Sequence, residues 1–274
     1  MPDSPASEIQ TPWTWPELRS LAERAARAGG AVARDMFESE LEVSYKTDGS
    51  EVSNADHAAQ EAVLDVLRQA RPDDWFIAEE SAVEAPPSSS SADSVCWAVD
   101  PIDGTRNYVR GIPYFCCSVG ALVGGTPVAG AIYDPLRDVM YAGAVGDGMC
   151  VNGRKRSVRD GEARTLLGAI PSRRHKQVAQ LVHTWVDRLV VRNTGSTALH
   201  LAMVAAGQLD AALAGNAYLW DVAAGYALIA AGGGVATLPD GGAIFPIALP
   251  DLAMFPTDVL AAGPRTHARL IREG

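Results

Sequence analysis

Two aspartates, Asp100 and Asp103, lie in the stretch WAVDPIDGTRNY at residues 97–108, directly after a short apolar run. A turn requires one Asp or Asn, so a turn alone does not explain two acids that bracket Pro-Ile. Further acids stand at the ends of predicted elements: Asp56, Glu79, Glu80 and Asp221. Converging carboxylates repel one another, and Mg²⁺ removes that repulsion because oxygens are its preferred ligands. The pattern therefore predicts a magnesium site.

Each of these acids also has a purely structural interpretation. Asp56 fits the N3 position of a capping box that starts at Ser53, and Asp221 suits a helix N-terminus. Glu79 and Glu80 fit a solvated charge pair. We favour one shared site for all of these acids, because the alternative requires an independent structural role at every one of these positions. The five histidines are scattered, so they do not compete as metal ligands.

The composition is that of a globular protein and argues against two classes of partner. The 274 residues are 47% hydrophobic, with a net charge of −10 and a pI near 4.9, which disfavours nucleic-acid and anionic-membrane binding. No run approaches the roughly 18 apolar residues of a membrane span, and residues 1–30 lack a signal-peptide pattern. The four cysteines lack C-x-x-C spacing and predict free thiols in a reducing cytoplasm, with adjacent Cys116 and Cys117 on opposite faces of a strand.

Hydrophobic periodicity predicts a mixed first half and an alternating α/β second half. Helices are predicted for 15–37, from Asp56 onward, and for 177–186, 197–206 and 221–231; strands are predicted for 75–78, 95–99, 115–123, 128–133, 141–144, 166–170, 189–191, 209–213 and 235–238. The Pro/Ser-rich segment 85–94 predicts a surface loop. We therefore expect a loose tail (1–14), an N-terminal α+β subdomain with the acidic motif (15–160) and a C-terminal α/β subdomain (161–274), with a cleft between the subdomains.

Four motifs in this order resemble the inositol monophosphatase family. They are residues 97–108, the acidic stretch IAEES at 77–81, the early loop from Lys46 to Asp56, and Trp220–Ala224 followed by Ala231-Gly-Gly. The resemblance covers residues 15–270 and implies a layered αβαβα sandwich of the inositol monophosphatase and fructose-1,6-bisphosphatase type. It also implies Mg²⁺-dependent hydrolysis of a small-molecule phosphate monoester, a homodimer and inhibition by lithium.

The resemblance assigns a role to each matching residue. It implies two or three Mg²⁺ ions held by Glu79, Asp100, the Ile102 carbonyl, Asp103 and Asp221, with Glu80 close by. Asp56 and Thr105 would orient and deprotonate the attacking water, so no phosphoenzyme is expected. The backbone N–H groups of Gly104 and Thr105 begin a helical turn and are expected to face the phosphate.

The substrate cannot be read from these motifs. Gly195, Ser196 and Thr197 match a substrate-contacting run only in part. Ala214 stands where inositol-phosphate-binding relatives carry a glutamate, and Asn216 is a candidate substitute. Arg173, Arg174 and His175 suit either a second anionic group or a solvated loop, and Arg106 and Arg110 suit either the cleft edge or the surface. Histidinol-phosphate, fructose-1,6-bisphosphate and 3′-phosphoadenosine phosphate phosphatases remain alternatives.

A function of another class also remains open. A protein can keep this fold and act as a non-catalytic regulator through protein or RNA contacts. Every predicted metal-binding and water-activating position is intact, and the acidic composition disfavours RNA as a main partner. The sequence therefore favours the enzyme.

Overall fold

The computed structural model describes residues 13–46, 49–81, 94–161, 164–172, 178–248, 251 and 256–273. Its helices are α1 (Trp15–Met36), α2 (Asn54–Ala70), α3 (Thr105–Val109), α4 (Ala179–Arg188), α5 (Thr197–Ala205), α6 (Leu219–Ala231) and α7 (Pro264–Glu273). Its strands are β1 (Val43–Tyr45), β2 (Glu51–Ser53), β3 (Trp75–Ala78), β4 (Val95–Asp103), β5 (Cys116–Val123), β6 (Thr126–Asp134), β7 (Val139–Ala144), β8 (Gly148–Val151), β9 (Arg154–Arg156), β10 (Leu167–Ala169), β11 (Val190–Arg192), β12 (Ala211–Tyr218), β13 (Val235–Thr237) and β14 (Pro256–Ala262).

A seven-stranded sheet, in the order β3-β4-β5-β6-β7-β8-β9, forms the first half. Only the β3–β4 pair in this sheet is parallel. Helices α1 and α2 cover one face, where Leu18 and Val63 pack in one core cluster with Cys117. Cys116 belongs to the cluster on the other face. The expectation that these two thiols face opposite sides is confirmed, as is their free state.

A five-stranded sheet, in the order β11-β10-β12-β14-β13, carries the second half. Helices α5 and α6 lie between the two sheets, because their apolar residues share one buried cluster with both. Helices α4 and α7 cover the outer face, where Trp185 and Leu270 pack against Leu213 and Leu260. The expected αβαβα layering is confirmed. Within the described ranges, no helix combines the length and apolarity that a membrane crossing requires.

The elements after residue 238 were not predicted from the sequence. Strand β14 begins with Pro256, which is uncommon inside sheets, and it contains Asp258. Helix α7 buries Thr266, His267 and Leu270, so polar side chains occupy much of its inner face and weaken the apolar period. The predicted tail (apart from Trp13 and Thr14) and nearly all of the predicted Pro/Ser loop lie outside the described residues.

Candidate active site

A bulge in β4 places Asp100 and Asp103 on the same side of the first sheet. Asp100 pairs with Ser118 and Asp103 with Cys116, so β4 contains one more residue between the two pairs than β5 does. In a regular strand, residues three apart face opposite sides, and the extra residue corrects this. Pro101 is tolerated there because a bulge does not need its missing N–H. The expectation that the strand ends at Asp100 was wrong, since β4 continues to Asp103.

Asp221 joins these two aspartates from helix α6. Carboxylate oxygens of Asp100, Asp103 and Asp221 lie within 4.8 Å of one another. The Tyr218 backbone N–H donates to Asp221 at 2.7 Å and fixes the side chain at the helix start. Burial and the neighbouring carboxylates raise the pKa of Asp100 and of Asp221 well above the usual range. Asp100 Oδ1 is buried and has no hydrogen-bond partner among the described residues, so the donor set suits a hard divalent cation.

Asp103 links the first sheet to the start of helix α5. The Ser196 hydroxyl donates to Asp103 Oδ2 at 2.7 Å, and the Ala198 backbone N–H donates to the same oxygen. Ser196 Oγ also accepts a hydrogen bond from the Leu199 N–H, so it caps α5. Both donors bind Oδ2, which holds this carboxylate against the start of α5. The two halves of the chain thus meet at this carboxylate.

Glu79 and Glu80 follow β3 and are bridged by a lysine. Lys46 Nζ lies 2.7 Å from Glu79 Oε1 and 2.6 Å from Glu80 Oε1. Burial alone lowers the pKa of Lys46, but the two carboxylates raise it overall, so the ammonium stays charged. The Gln60 side-chain carbonyl accepts the Glu80 N–H and holds the end of the strand. The two glutamates are therefore an ordered, partly buried pair at the edge of the cluster.

Asp56 and Thr105 form a hydrogen-bonded pair beside the cluster. Asp56 Oδ2 accepts from the Ser53 N–H and hydroxyl, which completes the capping box of α2. Asp56 Oδ1 lies 3.2 Å from Thr105 Oγ1, which is also 3.0 Å from the Ile102 carbonyl. Burial raises the pKa of Asp56. One carboxylate oxygen is thus anchored, and the other is available through the threonine hydroxyl for proton transfer.

Gly104 makes the turn from β4 into α3 in a conformation that disfavours side chains. Its φ is +104°, and an added Cβ would lie 3.0 Å from the Tyr114 carbonyl. That carbonyl and the Thr194 carbonyl both accept hydrogen bonds from Asn107 Nδ2, at 2.7 Å each. Asn107 also fills the space that a side chain at Gly195 would need. These contacts connect the acidic motif to the loop before α5.

Replacing Gly104 with alanine is expected to lower the free energy of unfolding by about 1–3 kcal/mol, since it adds both backbone strain and a close contact. Gly146 provides a matched control, because its φ is +83° and no atom of the described residues lies within 4 Å of an added Cβ. Urea denaturation of Gly104→Ala and Gly146→Ala separates the two effects. Equal destabilisation by the two substitutions would show that the contact with Tyr114 is relieved at no cost.

A cleft of about 280 Å³ opens above the carboxylates. Its lining includes Glu51, Glu79, Asp103, Gly104, Thr105, Arg106, Ser172, Gly195, Thr197, His200, Asn216 and Asp221. Arg106 and Arg110 both pair with buried Glu51, at 3.0 Å each. Of the two positions that the sequence left open, the cleft edge and the surface, Arg106 takes the cleft edge. Burial lowers the pKa of His200 to about 4, and its Nε2 accepts the Thr194 N–H. His200 is therefore a neutral part of the wall.

Comparison with known proteins decides the family. Residues 15–273 match the model of the family described as "Inositol monophosphatase family". The chain belongs to the inositol monophosphatase family. Two relatives are each 33% identical to this family member: a fructose-1,6-bisphosphatase/inositol-1-monophosphatase of Aquifex aeolicus and a Nus factor SuhB of Pasteurella multocida. The alignment with the first relative covers 80% of this chain and 84% of that relative, and the alignment with the second covers 82% of this chain and 86% of that relative.

A solved inositol monophosphatase from Anabaena (Nostoc) has the same fold. Its TM-score is 0.78 at 30% sequence identity, and the match covers 94% of this chain and 95% of that one. The five-layer architecture of this family member therefore agrees with the fold of a solved relative. The family resemblance noted in the motifs is confirmed.

The residues predicted to contact substrate have different environments. Gly195, Ser196, Thr197 and Asn216 all line the cleft, and the hydroxyl of Ser196 also donates to Asp103. Ala214 is buried in β12 opposite Val259, and β12 is irregular between residues 214 and 217. Asn216 takes a φ of +52° in that irregularity. The predicted residues Arg173, Arg174 and His175 lie outside the described residues.

Several residues of the site had no predicted role, and three of them hold its parts together. Lys46 was recognised only as part of a matching loop, although it bridges two predicted acids. Glu51 holds two arginines, and Asn107 connects two loops that are distant in sequence. The available signal was local, since Lys46 and Glu51 both lie in the early loop that matches the family. Nothing in the spacing identifies their partners.

Proposed function

We propose that the protein hydrolyses a small-molecule phosphate monoester with Mg²⁺ as its cofactor. The observation that carries the proposal is the cluster of mutually repelling Asp100, Asp103 and Asp221, in which the first two are buried and one Asp100 oxygen has no hydrogen-bond partner among the described residues. Without a cation, these charges would repel a phosphate. Glu79 and the Ile102 carbonyl are the proposed additional ligands of two or three ions. When bound there, Mg²⁺ supplies Lewis-acid catalysis to phosphate-ester hydrolysis.

The chain itself provides the proton transfer. Thr105 accepts a hydrogen bond from the attacking water and passes a proton to Asp56 Oδ1. The raised pKa of Asp56 makes it a better base near neutral pH than an exposed aspartate. Gly104 and Thr105 direct backbone N–H groups to the phosphate, and Glu80 steadies Lys46 and so the position of Glu79. Water attacks directly, without a phosphoenzyme.

Thr105→Val removes the relay hydroxyl and keeps the shape of the side chain. We expect kcat to fall by about 10²–10⁴-fold with little change in KM, because the hydroxyl acts on the water and does not bind the leaving alcohol. Thr105→Ser keeps the hydroxyl and should retain most of the activity. Steady-state phosphate release measures both variants. A valine variant with the wild-type kcat would remove Thr105 from the relay.

The leaving group is proposed to be less polar, or held differently, than myo-inositol. A buried alanine at position 214 leaves polyol hydroxyls without a carboxylate acceptor, and a cationic amine such as that of histidinol phosphate lacks a counter-ion there. The name of the Aquifex relative keeps fructose-1,6-bisphosphate among the candidates. A panel of inositol phosphates, histidinol phosphate, fructose-1,6-bisphosphate and 3′-phosphoadenosine phosphate tests this. If the protein hydrolyses none of these substrates, with or without Mg²⁺, the proposal that it is an enzyme is rejected. Lithium at millimolar-scale concentration should inhibit the hydrolysis.

A regulatory role is the second candidate, because several similar proteins are named Nus factor SuhB. The intact acidic cluster favours hydrolysis as the main activity. A catalytically silent protein that still binds a transcription component in a defined complex would favour regulation.

We also propose that the protein is a cytoplasmic homodimer. Light scattering after size-exclusion chromatography measures its mass and so tests the dimer.

A further inference from the structure

A pocket lined by four arginines lies apart from the cleft. Its lining comprises Gly161, Arg164, Leu166, Arg265, Thr266, Arg269 and Arg272, none of which lines the cleft, and its volume is about 580 Å³. All four arginines are exposed to solvent. Such a concentration of positive charge is unexpected on a chain with a net charge of −10. The pocket therefore requires an explanation of its own.

Two separate segments bring these arginines together. Arg265, Arg269 and Arg272 follow one another at the spacing of a helix face along α7, while Arg164 precedes β10. His267 and Leu270 lie on the buried face of α7, so the helix presents its three exposed arginines to the pocket, together with Thr266 at the edge of the buried face. Like charges one turn apart destabilise a helix. A solvent-facing polar side of α7 would explain its three arginines, but it does not explain why Arg164 from another segment lies beside them.

Most of these charges lack a counter-ion among the described residues. Arg269 pairs with Glu273 at 2.9 Å, whereas the described part of the chain offers no ion pair to Arg164, Arg265 or Arg272. Most other described arginines do form ion pairs, such as that of Arg71 with Asp74. The nearby carboxylate of Asp160 accepts the backbone N–H groups of residues 265 and 266 and thereby caps α7. The pocket thus carries an excess of unneutralised guanidinium groups.

We propose that this pocket binds a small anion that contains a di- or triphosphate group. Guanidinium groups bind phosphate oxygens in pairs of parallel hydrogen bonds, and several of them suit several adjacent phosphates. The volume is within the range of small-molecule sites. A long nucleic acid would extend beyond the pocket over the rest of the acidic chain and be repelled by it. A small anion stays in the pocket, and at physiological salt it is screened from charges more than about 8 Å away.

The site binds its ligand without hydrolysing it. Within the described residues, the metal-binding type of carboxylate cluster occurs at the cleft, not beside these arginines. Leu166 of the pocket precedes β10, and Ser172 of the cleft follows it. The two sites therefore lie towards opposite ends of one strand, and Leu166 and Ser172 themselves are at most about 20 Å apart along an extended chain. Occupancy of the pocket does not depend on the proposed phosphatase activity.

Isothermal titration calorimetry of the full chain with inorganic triphosphate, in metal-free buffer at about 150 mM salt, tests the proposal. We expect saturable binding of one ion per chain. Arg265→Gln/Arg272→Gln should weaken it by at least about tenfold. Arg24→Gln removes an exposed α1 arginine that has no described partner and should leave the affinity unchanged, as should Asp103→Asn in the cleft. Thermal unfolding verifies that each variant is folded.

Three results would overturn the proposal. They are the absence of saturable triphosphate binding, equal affinity in the wild type and the folded double variant, and binding that changes with Asp103→Asn. A short single-stranded RNA is the competing probe. RNA binding that the double variant loses, without binding of triphosphate, would assign the arginines to a nucleic-acid surface instead. Titrations with pyrophosphate and with a nucleoside triphosphate then distinguish an inorganic ligand from a nucleotide.

Discussion

Asp103→Asn is expected to reduce Mg²⁺-dependent phosphate release more than about 100-fold. Loss of residues that merely orient metal ligands already costs 10–100-fold, so loss of a ligand should cost more. Asparagine also places an amide near donors that need an acceptor, since the Ser196 hydroxyl and the Ala198 N–H both bond to Oδ2. Initial rates measured against Mg²⁺ concentration should show a lower plateau and a higher half-saturating concentration.

Asp73→Asn is the matched control for this substitution. Asp73 is exposed and lies before β3, away from the carboxylate cluster. Its replacement should leave both the rate and the Mg²⁺ dependence unchanged. Mg²⁺ should also raise the melting temperature of the wild type but not that of Asp103→Asn, because only a native-state site stabilises the fold. Wild-type rates in Asp103→Asn would exclude this cluster as the catalytic metal site.

Asp100→Asn is expected to abolish activity and yet stabilise the metal-free protein by about 1–3 kcal/mol, the usual cost of an unsatisfied buried polar group. Asp100 is buried among Glu79, Asp103 and Asp221, and its Oδ1 has no hydrogen-bond partner in the part of the chain that the structure describes. Removing one charge relieves this repulsion. The free energy of unfolding in urea, measured with a chelator, should therefore be higher for the variant. Excess Mg²⁺ should reverse the order, since only the wild type then gains metal binding.

The pH dependence of this stability difference follows from the raised pKa of Asp100. Between the unfolded value, about 3.9, and the higher folded value, the native state binds more protons than the unfolded state. Stability of the metal-free wild type therefore falls as pH rises through this window, whereas the asparagine variant lacks that contribution. The gap between the two proteins should therefore widen as the pH rises above the unfolded value towards the raised folded value. A variant that is less stable than wild type in chelator would contradict the electrostatic account.

Local sequence patterns predicted most helices and strands up to residue 238. Helix α1 has a clear apolar period, which reports burial against one face, whereas β5 and β6 are continuous apolar runs because both of their faces are buried. Helix α7 escaped prediction because Thr266 and His267 occupy buried positions that are normally apolar. Strand β12 was predicted too short, because its irregular part around Asn216 breaks the pattern.

The sequence alone identified which acids belong to the candidate site and in what order they occur along the chain. These residues and the family motifs around them can be recognised without coordinates, because both are local properties of the chain. The tertiary structure decided how the acids meet. A bulge turned Asp100 and Asp103 to one side, α6 delivered Asp221, and the start of α5 fixed one oxygen of Asp103. Each of these depends on pairing between distant segments, which residue spacing does not encode. The same holds for Lys46 between its two glutamates and for Arg164 beside α7.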